Sequence, residues 1–403
     1  MNLKALAVAT LLVLASVGGT MAVSADTADA TQSAEAYSGT HVSFETTSDA
    51  VTGYTVNDET VVSSVQVQSA EQARANGDLS ADLGLSAVTG IVGAAVDVQA
   101  TASTNATVTT ESGAELKAHD NDRGILVVRT GGSSQVVHAN VSSNSEASAE
   151  GENRVVVQQD DGSSGTFIVV GEGNVTVDDS GNVTAMLEED SKLVYRQYEG
   201  ERSDDERQQE ELIANGTAAA EVYVQSAAEA GGDAEESGED ASDDARNRTA
   251  DVVKYSEDTS VEVTERTESG VNMTVERAES EGRVVITSVS EAVVSNAEDV
   301  SVTVDGEAAA QAESYGEVQQ ATQDGESSKY LVRQSSSAEA SYDVVVGINH
   351  FSERNVAVQD GSGSSGDSDQ STPDGSSGDG AGFGVGIALV SLVGAALLAR
   401  YRA

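Results

Sequence analysis

The sequence predicts an all-β fold: two tandem, duplicated, sandwich-like β-rich modules with one short helix, followed by a C-terminal transmembrane helix. Three observations point there. Short runs rich in Val, Ile and Thr recur between turn residues, and proline occurs once in 403 residues, a composition suited to pleated surfaces packed on at least one face. Segments of the first half return in the second at a nearly constant spacing, the mark of a repeated unit. The chain ends in an uncharged apolar run closed by arginines.

Residues 1–25 read as a secretory signal peptide. Lys4 precedes an apolar stretch over 5–17, and Val23, Ser24 and Ala25 offer the small residues a signal peptidase needs before Asp26. A polar lead over 26–40 is expected to be mobile. The first module spans 41–198. Alternation is clear at 61–68, where Val65 and Val67 share a face; denser runs at 124–129, 154–158 and 166–170 are expected to be buried on both faces. The segments 174–177 and 182–185, on either side of Asp178-Asp179-Ser180-Gly181, read as a hairpin. An uncharged stretch over 83–96, with Gly84, Gly90 and Gly93, is too short to span a membrane and reads as core packing, with an interface between the modules as the place it could line.

The second module spans 199–359. Its one helix is expected over 203–216, where Ser203 and Glu206 make a capping box, acids fill the first turn and Gly216 stops the element. In place of the apolar 83–96 stretch it carries acidic residues over 231–240, expected to be a solvated loop. Val65-Gln66-Val67-Gln68-Ser69-Ala70 recurs as Val222-Tyr223-Val224-Gln225-Ser226-Ala227, an offset of 157 residues (222 − 65). Thr110-Glu111-Ser112-Gly113 recurs as Thr267-Glu268-Ser269-Gly270 at the same offset, as do Val136-Val137 and Val293-Val294. Gly124 matches Gly282 at 158, and Asp161-Gly162 before Phe167 matches Asp324-Gly325 before Tyr330 at 163. One slowly rising offset over some hundred residues predicts two copies of a module, each of about 160 residues and long enough to bury its own core.

Residues 360–380 are Ser, Gly and Asp with Pro373, a flexible linker expected to hold the modules roughly 25 Å from the membrane. The tail, 381–403, carries an uncharged run over 383–399 and ends in Arg400-Tyr401-Arg402. Such a run spans roughly 25 Å as a helix, the short end of what crosses a bilayer, with the arginines on the cytoplasmic side. The tail resembles the PGF-CTERM sorting signal of haloarchaeal surface proteins, with Ala381-Gly382-Phe383 in the place of Pro-Gly-Phe, ahead of the apolar run and the basic end at Arg400 and Arg402. The resemblance covers the C-terminus alone. It implies cleavage by an archaeosortase and transfer of the new C-terminus to a lipid; the alternative is a permanent membrane helix. The expected location is the extracellular face of the cell membrane.

Formal net charge is −47, with 68 Asp and Glu against 21 Lys and Arg. In dilute buffer that charge repels itself; at about 1 M salt the Debye length falls to about 3 Å. Lysine occurs only at Lys4, Lys117, Lys192, Lys254 and Lys329. This composition is that of an extracellular protein of a halophilic archaeon, and it argues against nucleic acid and anionic headgroups as partners. There are no cysteines, so neither a disulfide nor a lipobox thiol is available.

Seven Asn-X-Ser/Thr sequons stand at Asn105, Asn140, Asn174, Asn182, Asn215, Asn247 and Asn272, candidate glycosylation sites for an oligosaccharyltransferase. No catalytic constellation and no metal-ligand spacing is evident among His41, His119, His138 and His350, and no cofactor is implied. Asp120-Asn121-Asp122-Arg123-Gly124 has part of a calcium loop's residues but not its spacing, and reads better as a turn before a strand. His350-Phe351-Ser352, after the strand over 342–348, resembles the His-Phe-Ser cleavage triplet of self-processing domains; that resemblance makes Ser352 a nucleophile and His350 its base, while the alternative is a hairpin turn with Phe351 packed inside. The favoured function is a structural, envelope-associated or adhesive surface glycoprotein, not an enzyme, with S-layer or other envelope proteins as partners. The rival is an extracellular ligand-binding or self-processing module, with a pocket between the copies lined by aromatics such as Tyr223, Tyr255, Tyr315 or Tyr330.

Overall fold

The computed structural model describes residues 35–76, 96–102, 104–225, 249–267, 269–291, 293–336, 341–351 and 353–361. The signal peptide, the apolar stretch over 83–95, the acidic loop over 231–240, nearly all of the linker and the whole tail lie outside them. Among the described residues, no helix is long and apolar enough to cross a membrane.

Strand dominates what is described. In the first half run β1 (Glu35–Ser38), β2 (Val42–Thr46), β3 (Val51–Val56), β4 (Glu59–Ser69), helix α1 (Ala70–Asn76), β5 (Val96–Ala102), β6 (Asn105–Thr110), β7 (Glu115–His119), β8 (Leu126–Arg129), β9 (Gln135–Val141), β10 (Ser145–Ala149), β11 (Arg154–Gln159), β12 (Ser164–Val170), β13 (Gly173–Val177), β14 (Val183–Leu187) and β15 (Lys192–Tyr198). In the second run helix α2 (Asp204–Ala214), β16 (Ala218–Gln225), β17 (Thr249–Lys254), β18 (Thr259–Thr267), β19 (Gly270–Arg277), β20 (Glu281–Ser290), β21 (Val300–Val304), β22 (Glu307–Ala308), β23 (Ala310–Gln311), helix α3 (Tyr315–Asp324), β24 (Lys329–Gln334), β25 (Ser341–His350) and β26 (Glu353–Asp360).

These strands form four sheets. The first has the order β1-β2-β3-β4-β9-β14-β13, the second β10-β11-β12-β15-β8-β7-β6-β5, the third β17-β16-β20-β25-β24-β23 and the fourth β18-β19-β26-β21-β22. Three apolar cores fix their stacking. Phe44, Val65, Val137, Leu116, Phe167 and Tyr195 join the first sheet to the second, and Val222, Val285, Val346, Met273 and Val358 join the third to the fourth. Ile125, Ile168, Val194, Tyr223, Ile286 and Val345, with Leu212 and Ile213 of α2 and Val318 of α3, join the second to the third. The sheets therefore stack in the order first, second, third, fourth, and the middle two have no solvent-facing side over much of their area.

That burial explains the dense apolar runs. All seven residues of β12 are buried: Phe167 and Val169 point into one core while Ile168 and Val170 point into the next, as a strand's two-residue period requires. The expected hairpin forms as β13 and β14, with Val177 opposite Val183 and the Asp178 carboxylate accepting from the N–H groups of Ser180 and Asn182. Asn57 and Asp58, both with positive φ, link β3 to β4, and Asp305 and Gly306 do the same between β21 and β22. Two-residue turns of this hand match the twist of paired strands.

Three differences from the sequence reading emerge. Three helices occur among the described residues, where one was expected. Helix α2 has the expected capping box, Ser203 with Glu206. Helix α1 escapes notice because it has seven residues and packs through two small ones, Ala70 and Ala73, against Val136. Helix α3 carries a glycine and few apolar residues; it forms because Ser314 caps it and because Gly282 of β20 and Gly347 of β25 have no side chain to obstruct its backbone at Thr322 and Val318. Second, part of the polar lead is ordered: β1 pairs with β2, and Tyr37 stacks on Phe44 with ring centroids 5.6 Å apart, an aromatic contact that offsets the entropy of ordering the segment. Third, similar segments do not always occupy similar places. Val65 lies in β4, antiparallel to β9, whereas Val222 lies in β16, parallel to β20. Val136 and Val137 lie in β9, but Val293 and Val294 follow β20 in a turn.

One buried group gives a pH prediction. His138 of β9 is buried, with Nδ1 3.1 Å from Thr184 Oγ1. Burial pulls its pKa below the ordinary 6.5, although the Asp178 carboxylate pulls the other way. The unfolded chain takes up this proton first, so the contribution is present above pH 6.5 and is lost as pH falls through the folded value, at no more than about 1.4 kcal/mol per pH unit. His138→Gln is expected to flatten the fall in Tm between about pH 6.5 and 5; equal slopes for both proteins would refute the assignment.

Candidate functional site

The layer between the second and third sheets brings charged residues of the two halves together. On β15, Leu193 and Tyr195 enter the core toward the first sheet, which turns Lys192, Val194, Arg196 and Tyr198 toward the third. Across the gap, the same alternation sets Glu221 and Tyr223 on β16 and Asp343 on β25 facing them. Arg196 and Glu221 are each 1 % exposed, with Arg196 Nη2 2.9 Å from Glu221 Oε1; Tyr223 Oη donates to the other oxygen of that carboxylate at 2.8 Å. Arg123, also 1 % exposed, donates to Glu206 at 3.2 Å, to Ser335 Oγ at 2.8 Å and to Asp343 at 3.2 Å. Both guanidinium groups lie against the Tyr198 ring, 5.1 and 5.6 Å from its centroid.

The network continues through α2. Tyr198 Oη and Arg202 Nη1 donate to the two oxygens of Glu210 at 2.8 and 2.6 Å, and Arg154 adds a longer contact of 3.5 Å. Gln209 donates to Asp343 at 2.9 Å. Arg123, Arg154, Arg196 and Arg202 thus face the buried carboxylates of Glu206, Glu210, Glu221 and Asp343, four cations against four anions. Burial raises the pKa of Glu206, yet the Arg123 guanidinium and hydrogen bonds from Ser336 and Ser203 outweigh it and hold Glu206 below the usual carboxylate range. It stays ionised.

The segment 120–124 feeds this layer. The Asp120 carboxylate accepts from the backbone N–H groups of Thr40, His41 and Val42 at 2.7–2.8 Å, so it clamps the strand start at β2. His119 Nδ1 and Asn121 Nδ2 both contact the Asp251 carboxylate of β17, at 2.9 and 3.2 Å. Beside them a cleft of about 130 Å3 is lined by Glu115, Lys117 and His119 of β7, Val127 and Arg129 of β8, Lys192 of β15, and Val252, Lys254 and Glu257 at the end of β17. Lys192 is 3 % exposed; its Nζ donates to the Tyr255 carbonyl at 2.8 Å and meets Glu257 at 2.6 Å. Burial lowers the Lys192 pKa, and the Arg129 charge adds to this while Glu257 opposes it.

The sequon asparagines are spread over the body. Asn174 on β13 and Asn215 at the C-cap of α2 are exposed. Asn105, Asn140, Asn182 and Asn272 are half-buried; Asn140 donates to Ser64 Oγ at 2.7 Å and Asn272 to Glu265 at 2.9 Å. Asn247 lies outside the described residues. His350 is exposed at the end of β25 and Phe351 is buried, with its N–H on the Ser280 carbonyl at 3.2 Å; Ser352 lies outside the described residues, as do Ala381, Gly382, Phe383, Arg400 and Arg402. Of the four tyrosines, Tyr223, Tyr255 and Tyr315 meet in the layer between the halves, while Tyr330 packs in the core beyond it. The arginine network and the lysine cleft were not anticipated. The available signal was the scarcity of cations: Lys117, Lys192, Arg196 and Lys254 all stand inside strand-like sequence.

No family model matches this chain, and no curated protein sequence matches it. Among solved structures, a glycoside hydrolase family 81 enzyme from Clostridium thermocellum is similar at a TM-score of 0.33 and 10 % identity, over 78 % of this chain and 34 % of that one. A heparan sulfate lyase mutant from Pedobacter heparinus is similar at a TM-score of 0.26 and 11 % identity, over 59 % of this chain and 38 % of that one. This chain therefore spans little more than a third of either.

Proposed function

We propose that the chain is a secreted, acidic surface glycoprotein of a halophilic archaeon, held by its C-terminal tail at the extracellular face of the membrane and serving a structural or adhesive role in the envelope. The observation that supports this reading is the union of the two halves through a layer of buried ion pairs. A hinge between domains is built from mobile linkers and modest polar contacts; this union suits a rigid body carried on a flexible stalk. S-layer or other envelope proteins are the partners such a body suits, and an oligosaccharyltransferase and an archaeosortase are its processing enzymes.

The duplication belongs to the same proposal. Phe167, Tyr195 and Leu126 form a row across β12, β15 and β8, and Tyr330, Val346 and Val285 form a matching row across β24, β25 and β20. The offset of 163 (330 − 167) is one that the sequence itself carries, and 159 (285 − 126) lies close to the 158 at Gly124, whereas the central pair, Tyr195 and Val346, stands at 151 (346 − 195). The rival reading, a ligand-binding module, is favoured by the lysine cleft.

Intact-protein and glycopeptide mass spectrometry on protein isolated from membranes tests the proposal. Expected are a mature N-terminus after Ala25, a trimmed, lipid-bearing C-terminus, and glycans at the exposed Asn174 and Asn215 in preference to Asn140, whose side chain is engaged. An unglycosylated chain that keeps Arg402 and Ala403 would overturn the sorted-glycoprotein reading, and cleavage between His350 and Ser352 would favour the self-processing one.

A further inference from the structure

We propose that the outer face of the first sheet is a docking surface, and that its occupant is the chain's own segment 77–95, the stretch between α1 and β5. It stands apart from the surface-glycoprotein reading, because it rests on the folded body and not on the processing of either end.

Register fixes which side chains point outward. Val137 and Ala139 of β9 and Ala185 of β14 enter the core toward the second sheet, so Gln66, His138 and Thr184, opposite one another on β4, β9 and β14, lie on the other face. A bare face would leave them open to water. Yet His138 is 2 % exposed, Thr184 0 % and Gln68, one row along, 1 %. The described element packed on this face is α1, at one corner, where Ala70 and Ala73 meet Val136 and Met186. Charge agrees with a cover. In a chain of formal net charge −47, the outward side chains of the strands from β2 to β13 include one charged group, Glu45. Asp49 and Asp178 stand in turns at the rim, where Asp49 accepts from Gln66 at 3.5 Å and Asp178 from its own turn. The polar groups of the face also satisfy one another: His138 with Thr184 at 3.1 Å, Asn140 with Ser64 at 2.7 Å and Ser43 with Thr55 at 2.6 Å. Covering them therefore costs little desolvation. The fourth sheet is the contrast, since the outer row of Glu262, Thr274 and Asn355 is exposed or half-buried and includes a carboxylate.

Continuity names the occupant. The chain leaves β4 through α1, over β9 and β14, and returns as β5, which stands beside β1 at the far edge of the first sheet, with Tyr37 Oη donating to the Ala102 carbonyl at 3.4 Å. Between those two places lie β4, β3 and β2. Segment 77–95 is long enough to cross them with chain to spare, since an extended backbone spans roughly 3.3 Å per residue. From Leu83 onward it is uncharged and carries Leu83, Leu85, Val88, Ile91 and Val92, side chains that gain by leaving water. The layer between the two halves is already filled by ion pairs and by Ile125, Ile168 and Val345. A second copy of the chain is the rival occupant, but His138 and Thr184 are buried within one chain. With the segment docked, the first sheet is covered on both faces and the outer face of the fourth stays open.

The test uses the full-length protein in detergent at molar salt, labelled with diethyl pyrocarbonate and read by peptide mass spectrometry. This reagent acylates neutral imidazoles; burial holds His138 below the ordinary imidazole pKa, so slow labelling near neutral pH reports access and not charge. His138 is expected to react at least about tenfold more slowly than the exposed His350, with His119, 1 % exposed, as the control for an intact fold. When 83–95 is replaced by Gly and Ser of equal length, His138 is expected to react at least about fivefold faster while His119 stays protected. If His119 opens as well, the fold is lost and the Val88→Glu/Val92→Glu double variant decides. Its Tm is expected to fall by about 5 °C or more, whereas two more carboxylates on a solvated stretch of so acidic a chain would leave Tm within about 1 °C. Equal rates at His138 and His350 in the wild type, protection of His138 that survives the replacement, or an unmoved Tm would overturn the proposal. Protection lost on about hundredfold dilution would also overturn it, because mass action then assigns the face to a second copy.

Discussion

Replacing Arg196 with methionine is expected to cost about 3–5 kcal/mol of folding stability, the penalty for leaving one partner of a buried ion pair alone. Arg196 and Glu221 are each 1 % exposed, and the 2.9 Å contact between them joins the second sheet to the third. Burial by itself disfavours the charged guanidinium, but Glu221 and the surrounding tyrosines hold its pKa well above the ordinary value, and an arginine is charged at any pH the fold meets. Truncation leaves the Glu221 carboxylate with neutral tyrosine hydroxyls, Tyr223 at 2.8 Å among them, which cannot balance a charge. The double variant Arg196→Met/Glu221→Met removes both charges and is expected to regain most of the loss, because apolar replacement of a whole buried pair is often neutral or stabilising. Guanidinium chloride unfolding followed by circular dichroism separates the cases. A single variant within about 1 kcal/mol of wild type would mean that the pair is hydrated and that the layer is not the joint described here.

The strand period explains why this joint was invisible in the sequence. In β15, Lys192, Arg196 and Tyr198 alternate with Leu193 and Tyr195, the pattern of a half-exposed strand with a solvated face. Only the packing of the third sheet against the second turns that face into an interior, and no local pattern encodes what will cover it. What the sequence did state is local. The capping box at Ser203 and Glu206, the hairpin around Asp178 and Gly181, and the doubly apolar strand β12 are each written in a few neighbouring residues. The repeat behaved differently again. Val65 and Val222 share a strand sequence, yet β4 is antiparallel to both its neighbours while β16 is antiparallel to β17 and parallel to β20, because pairing is set by the connections and not by the strand alone. The lysine cleft was legible only as scarcity, and position in the fold gave the scarcity its meaning.

Lowering the salt from about 2 M to about 0.1 M is expected to reduce Tm on the order of 10 °C or more, a change of several kcal/mol for a body of this size. The chain carries 68 acids against 21 basic residues, and much of that limited basic charge is committed to the interior, where Arg123, Arg196 and Arg202 face their own carboxylates. The surface is therefore more one-sided than the overall count suggests. At about 0.1 M the Debye length reaches about 10 Å, and neighbouring surface carboxylates feel one another; at molar salt they do not. Buried pairs are screened far less, so the salt dependence of the Arg196→Met protein should parallel that of wild type, displaced downward by a constant amount. With no tryptophan in the chain, far-ultraviolet circular dichroism is the probe, and an uncharged osmolyte in place of salt tests whether screening or solute exclusion is responsible. A Tm that moves by less than about 2 °C over this range, or one fully restored by the osmolyte, would show that the surface charge does not set the conditions under which this protein folds.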